Sequence, residues 1–127
     1  MSRVLLVEDE ELNRLLVRAI LSRASVDAVR AAELVEASTL ERARTVLEEG
    51  SVDVLLLDVN LPDGNGLTLA TDLADQVDRP QVIALTASVL PHERAAAMLA
   101  GCDAFLDKPY AAQDLVDLLA SYLAPGH

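Results

Sequence analysis

Five side chains with chemical potential stand where short apolar runs end. Glu8 and Asp9 follow Val4 to Val7, Asp58 follows Val54 to Leu57, Thr86 follows Val82 to Leu85, and Lys108 lies just beyond Ala104 to Leu106. Clustered carboxylates raise one another's pKa values unless a cation sits among them, and Mg²⁺ is the hard cation held by one or two carboxylates together with phosphate oxygens and water. A carboxylate beside such an ion can act as a nucleophile and form an aspartyl phosphate. Phosphoryl transfer then needs positioning and charge neutralisation, which a lysine and a hydroxyl can supply to the remaining oxygens. Lys108 is the single lysine beside nine arginines, a compact point charge in a chain that otherwise uses planar forks. On this reading Asp58, at the end of a run too apolar to tolerate an unpaired charge, is answered by Mg²⁺ and Lys108.

The elements that must position these residues follow from periodicity. Five apolar runs, Val4 to Val7, Leu34 to Ala37, Val54 to Leu57, Val82 to Leu85 and Ala104 to Leu106, alternate with segments whose leucines and alanines recur at helical spacing. Ser38 or Thr39 can cap the second helix and Gly50 follows its end; Pro91 can open the fourth and Gly101 closes it. Such alternation builds an α/β fold, a (βα)5 parallel sheet with helices on both faces, and ligands then bind beyond the carboxyl ends of the strands. Taken singly, each residue has an ordinary explanation: Glu8 to Glu11 oppose a helix dipole, Asp58 starts a turn, Thr86 is a β-branched strand residue, Lys108 is a solvated charge. Their coincidence at equivalent positions of four strands is what those explanations do not predict.

Composition narrows the partners. With 127 residues the chain holds one domain, expected over 1–124 with a free tail at 125–127. A net charge of -11 repels nucleic acid and anionic membrane, so direct DNA binding is not expected. No apolar stretch reaches the roughly eighteen residues of a membrane span, and "MSRVLLVEDEE" turns acidic where a signal peptide would stay apolar. A cytoplasmic protein is expected. One cysteine, Cys102, and two histidines argue against disulfide chemistry and against zinc.

The stretches "LLVEDEELN", "DVLLLDVNLPDGNG", "ALTA" and "AGCDAFLDKP" together resemble the receiver domains of two-component response regulators, over essentially the whole chain. The resemblance implies a flavodoxin-like (βα)5 three-layer sandwich with a five-stranded parallel sheet in the order 2-1-3-4-5. It implies that Asp58 is the phosphoacceptor, that Glu8 and Asp9 hold Mg²⁺ with Asp58 and the backbone carbonyl of Asn60, and that Thr86 and Lys108 contact the phosphoryl oxygens. The peptide bond between Lys108 and Pro109 is expected to be cis. Thr86 and Phe105 match the switch pair, through which phosphorylation would alter the surface of the fourth helix, fifth strand and fifth helix. Asn60 and Ser88 match positions that tune attack by water on the phosphate.

The implied function is a phospho-accepting switch, not an enzyme with a separate substrate, that receives its phosphoryl group from a histidine kinase or histidine phosphotransfer protein and signals to an unknown downstream protein. The chain is expected to act alone through protein contacts, or to be a receiver excised from a hybrid kinase or longer regulator. A phosphatase of the haloacid dehalogenase type is the remote alternative; such enzymes typically carry a second Asp two residues after the nucleophile, where this chain has Asn60. One departure concerns "SRASVDAVRAAELVEAS", which is longer than the family usually has there. Either the first helix runs past Ser25 or a loop is inserted, and the alanine-rich "AVRAA" favours more helix.

Overall fold

The computed structural model describes residues 2–86 and 91–123. Five strands, β1 (Arg3–Val7), β2 (Glu33–Ala37), β3 (Val54–Asp58), β6 (Gln81–Thr86) and β7 (Ala104–Asp107), form one parallel sheet in the order β2-β1-β3-β6-β7. Counting only these strands, that is the expected order 2-1-3-4-5. The other two, β4 (Asn60–Leu61) and β5 (Gly64–Asn65), make a small antiparallel hairpin directly after β3.

Alternate residues of each strand feed opposite cores, because successive side chains point to opposite faces. Leu5, Val7, Leu55, Leu57, Val82 and Ala84 pack under helices α3 (Leu40–Glu48), α4 (Leu67–Leu73) and α5 (Pro91–Leu99). Val4, Leu6, Val54, Leu56, Ile83 and Leu85 pack under α1 (Glu11–Ser22), the short α2 (Asp27–Arg30) and α6 (Ala112–Leu123). With both faces covered, β3 can be buried along its whole length, which is why its sequence is continuously apolar until Asp58.

Thr39 caps α3, its Oγ1 accepting from the Arg42 amide at 3.1 Å. Gly50 and Gly101 follow α3 and α5 with φ of 83° and 105°, the left-handed geometry that suits glycine after a helix end.

The expected continuation of the first helix past Ser25 does not occur. Helix α1 ends at Ser22, and a separate single turn, α2, begins at Asp27. The break lets Ala24 and Val29 both reach the core beneath α6. Arg30 spans it, donating from Nη1 to the Ala24 carbonyl at 2.7 Å and pairing with Asp27. No helix among the described residues is long and apolar enough to cross a membrane. Ser88 and the tail 125–127 lie outside the described residues.

Candidate functional site

Strand ends deliver the site. Among the described residues the buried polar side chains are Glu8, Asp58 and Thr86, and all three lie at the carboxyl edge of the central strands. Glu8 extends β1, its amide bonded to the Ala37 carbonyl at 2.9 Å. Asp58 ends β3 opposite Leu85, and Thr86 ends β6 opposite Asp107. The Lys108 amide donates to the Thr86 carbonyl at 2.7 Å, which brings the lysine back over the same edge. The Lys108–Pro109 peptide bond is cis.

Carboxylate oxygens of Glu8, Asp9 and Asp58 all lie within 4.8 Å of one another. Lys108 Nζ sits 2.7 Å from Glu8 Oε2 and 3.4 Å from Asp58 Oδ2. The lysine thus pairs with Asp58, as the sequence suggested, but lies nearer to Glu8. Asp58 Oδ1 accepts from the Asn60 amide at 3.1 Å, and Arg14 Nη1 donates to the Glu8 carbonyl at 2.9 Å.

The electrostatics divide the two buried acids. Burial pushes Glu8 upward, but the hydrogen bond and charge of Lys108 with the Glu10 amide outweigh it and hold Glu8 below the usual carboxylate range. Asp58 is pushed up to about 6, by burial first and by the Glu8 charge, against the pull of the Asn60 amide and of Lys108. Lys108 is held above its ordinary value because Glu8 and Asp58 overcome its burial. One ammonium therefore satisfies one acid and leaves the other short of positive charge. A set of hard carboxylate oxygens with an uncompensated buried member fits Mg²⁺, and does not suit a soft metal.

Asn60 and Asp9 are solvent-exposed at the rim. Phe105 lies two residues before Asp107 and is half-buried under α5. Its ring carries the Arg94 guanidinium, 4.9 Å from the centroid, and Arg94 also pairs with Asp107. Between this cluster and the hairpin lies a cavity of about 300 Å³ lined by Val59, Asn65, Leu67, Thr86, Arg94 and Phe105. The Arg94 contact was not legible in the sequence, since helix and strand residues thirteen positions apart gave no pairing signal.

Gly66 was missed as well. A Cβ there would collide with the Asp58 carbonyl oxygen and press on Leu57 Cδ1 at 3.2 Å. Its φ of -56° is ordinary, so the requirement is for space, not for a special conformation. Gly66→Ala is expected to cost about 1–3 kcal/mol in urea unfolding, because the clash falls on backbone that cannot rotate away. A loss under a few tenths would show that the hairpin yields freely.

The family model described as response regulator receiver domain matches residues 4–120. The polar-differentiation response regulators DivK of Brucella abortus (strain S19) and Brucella ovis are each 30% identical over 122 residues, covering 94% of this chain and 94% of theirs. Among solved structures, a putative response regulator from Chloroflexus aurantiacus J-10-fl superposes with a TM-score of 0.85 at 26% identity, covering 97% of this chain and 98% of that one. The receiver domain of sensor histidine kinase PA1611 from Pseudomonas aeruginosa PAO1, which has a magnesium ion coordinated in its active site cleft, gives a TM-score of 0.81 at 26% identity over 96% of this chain and 97% of that one. A match that runs almost from end to end, on the same sheet order, leaves one assignment: the chain belongs to the response regulator receiver domain family.

Proposed function

We propose that Asp58 is the phosphoacceptor of this receiver and takes its phosphoryl group from a histidine kinase or histidine phosphotransfer protein. The observation that carries this is a nearly buried carboxylate, 6% exposed, at the end of β3, with one acid neighbour already paired and an ammonium 3.4 Å away. In the transfer a bond forms between an Asp58 oxygen and phosphorus while the P–N bond of a phosphohistidine breaks, its electron pair going to the imidazole nitrogen. Glu8, Asp9, Asp58 and the Asn60 carbonyl would hold Mg²⁺. When bound, the ion neutralises charge on the transferring group. Lys108 presents its ammonium to a second phosphoryl oxygen, and Thr86 its hydroxyl to a third. By the family's pattern, Asn60 and Ser88 would tune attack by water on the phosphate.

In this reading the domain, residues 1–124 with 125–127 as a tail, is a cytoplasmic signalling switch that promotes its own phosphorylation and dephosphorylation and has no separate substrate. A docking face for the phosphodonor is supported by α1, where Leu12, Leu15 and Leu16 are exposed, Leu12 at 76%. Output to a downstream protein would run through α5, β7 and α6, where Leu99 is 89% exposed. Thr86 and Phe105 couple the two, and the cavity between them offers room for a changed arrangement.

Intact mass after incubation with acetyl phosphate and Mg²⁺ tests the acceptor. The wild type is expected to gain one phosphoryl group and Asp58→Asn none; a gain in the variant would move the acceptor elsewhere. With beryllofluoride as phosphoryl mimic, Phe105→Ala is expected to bind it yet lose the accompanying change in amide exchange along α5. An undiminished change would remove Phe105 from the switch.

A further inference from the structure

We infer that Asp63 is a positioning residue of the site: from the tip of the β4–β5 hairpin its carboxylate grips the first turn of α3, and so fixes the backbone of Asn60. Asp63 Oδ1 accepts from the Leu40 amide at 3.0 Å and Oδ2 from the Glu41 amide at 3.2 Å. The first amides of a helix have no partner within it. Thr39 takes only that of Arg42, so two of these donors at the start of α3 are satisfied from a loop more than twenty residues away.

The hairpin needs this hold. Its ladder is two residues long on each side, Asn60 facing Asn65 and Leu61 facing Gly64, and a hairpin of that kind is not stable by itself. Its base is closed by the Gly66 amide, which donates to the Val59 carbonyl at 2.7 Å, and is anchored to β6 by the Val59 amide, which donates to the Leu85 carbonyl at 3.2 Å. Toward the tip two further ties hold it to the body of the protein: Leu61 is buried, and Asp63 reaches α3. The last tie is reinforced by packing, for Leu40 Cδ1 lies 3.1 Å from where a Cβ on Gly64 would stand. Asn60 itself is exposed, so its backbone is placed not by burial of its side chain but by the hairpin and by the bond its amide donates to Asp58 Oδ1 at 3.1 Å.

The other end of the tie matters equally. Helix α3 starts just after β2, and the last residue of that strand, Ala37, accepts the Glu8 amide. Asp63 therefore joins the hairpin that carries Asn60 to the strand end that fixes Glu8. The ladder between β1 and β3, with Val7 beside Leu57, already sets Glu8 next to Asp58, and Asp63 adds a second link that carries the hairpin and its Asn60. The same amides, Leu40 foremost, hold Asp63 below the usual carboxylate range, so it stays an anion through neutral and mildly acid pH.

The inference rests on Asn60 supplying a backbone ligand, as proposed above, and the test separates the two. Asp63→Ala removes two acceptors and Thr39→Ala one from the same helix start, but only the first releases the hairpin. Amide exchange and Mg²⁺ titration calorimetry are read on both variants. Asp63→Ala is expected to speed exchange of the Gly66 amide about tenfold and to weaken Mg²⁺ binding roughly three- to tenfold. Thr39→Ala is expected to speed exchange at Arg42 alone and leave Mg²⁺ affinity unchanged. Asp63→Asn, which retains an acceptor, should recover most of the loss. Wild-type exchange at Gly66 in Asp63→Ala would overturn the inference, as would Thr39→Ala reproducing both effects. Failure of the wild type to bind Mg²⁺ would instead sink the proposed metal site, and the exchange comparison would still decide whether Asp63 positions the hairpin.

Discussion

Asp58→Asn is expected to make the protein more stable at pH 7.5 while abolishing its phosphorylation. In the fold Asp58 titrates at about 6, above the ordinary value near 4 that it has in the unfolded chain. A group raised in this way contributes stability that is fully present below the unfolded value and is lost as pH rises through the folded one. At pH 7.5 the wild type therefore carries an ionised Asp58 that the fold disfavours, first by burial and then by Glu8. After allowance for solvent at the open rim, the penalty is about 1–2 kcal/mol. The asparagine keeps the shape and removes the charge. Urea unfolding without Mg²⁺ should show that gain at pH 7.5 and almost none at pH 4, where both proteins are neutral at this position. Equal stability at pH 7.5 would mean that Lys108 already compensates Asp58 in full. With Mg²⁺ present the ranking should narrow or reverse, because the ion stabilises the native wild type by mass action and finds one carboxylate fewer in the variant.

Lys108→Met is expected to separate metal binding from phosphorylation, moving them in opposite directions. Methionine keeps an unbranched stem but deletes the ammonium that lies 2.7 Å from Glu8 and 3.4 Å from Asp58. Two buried acids then face each other with no cation. Breaking a buried pair in this way typically costs several kcal/mol; with Lys108 22% exposed and Asp58 able to take a proton near neutral pH, roughly 1–3 kcal/mol is expected here. Mg²⁺ should bind more tightly, since the lysine no longer repels it or competes for Glu8. Phosphorylation by acetyl phosphate should nevertheless slow by about a hundredfold or more, because a positive charge aimed at the transferring group is gone. Calorimetry and time-resolved intact mass read the two effects. If affinity and rate fell together, the pocket would have collapsed, and Lys108 would be structural.

The alternation of apolar runs and helical segments was decisive for the architecture, and for a definite physical reason. A strand covered on both faces must be apolar throughout, so Val54 to Leu57 announced a central strand, and the first charged residue after it announced its carboxyl end. Once the runs were counted, the crossover rule fixed which ends lie together. That is how Glu8, Asp58, Thr86 and Lys108, scattered over a hundred positions, could be assigned to one edge before any coordinates. Their convergence was legible because sheet topology requires it.

Periodicity, burial and the residue types at strand ends were readable in advance because all three are carried by local pattern. The tertiary structure alone decided distances between side chains remote in the chain. It set Lys108 nearer to Glu8 than to Asp58, and so left Asp58 as the acid short of charge. It ended α1 at Ser22, since only in the packed core does Val29 find α6 and Arg30 find the Ala24 carbonyl. It placed Arg94 over Phe105 and Asp63 on α3. Local pattern tells which face a residue occupies; it carries no information about which neighbour on another element will be within hydrogen-bonding reach, because a shift of an ångström in packing decides that.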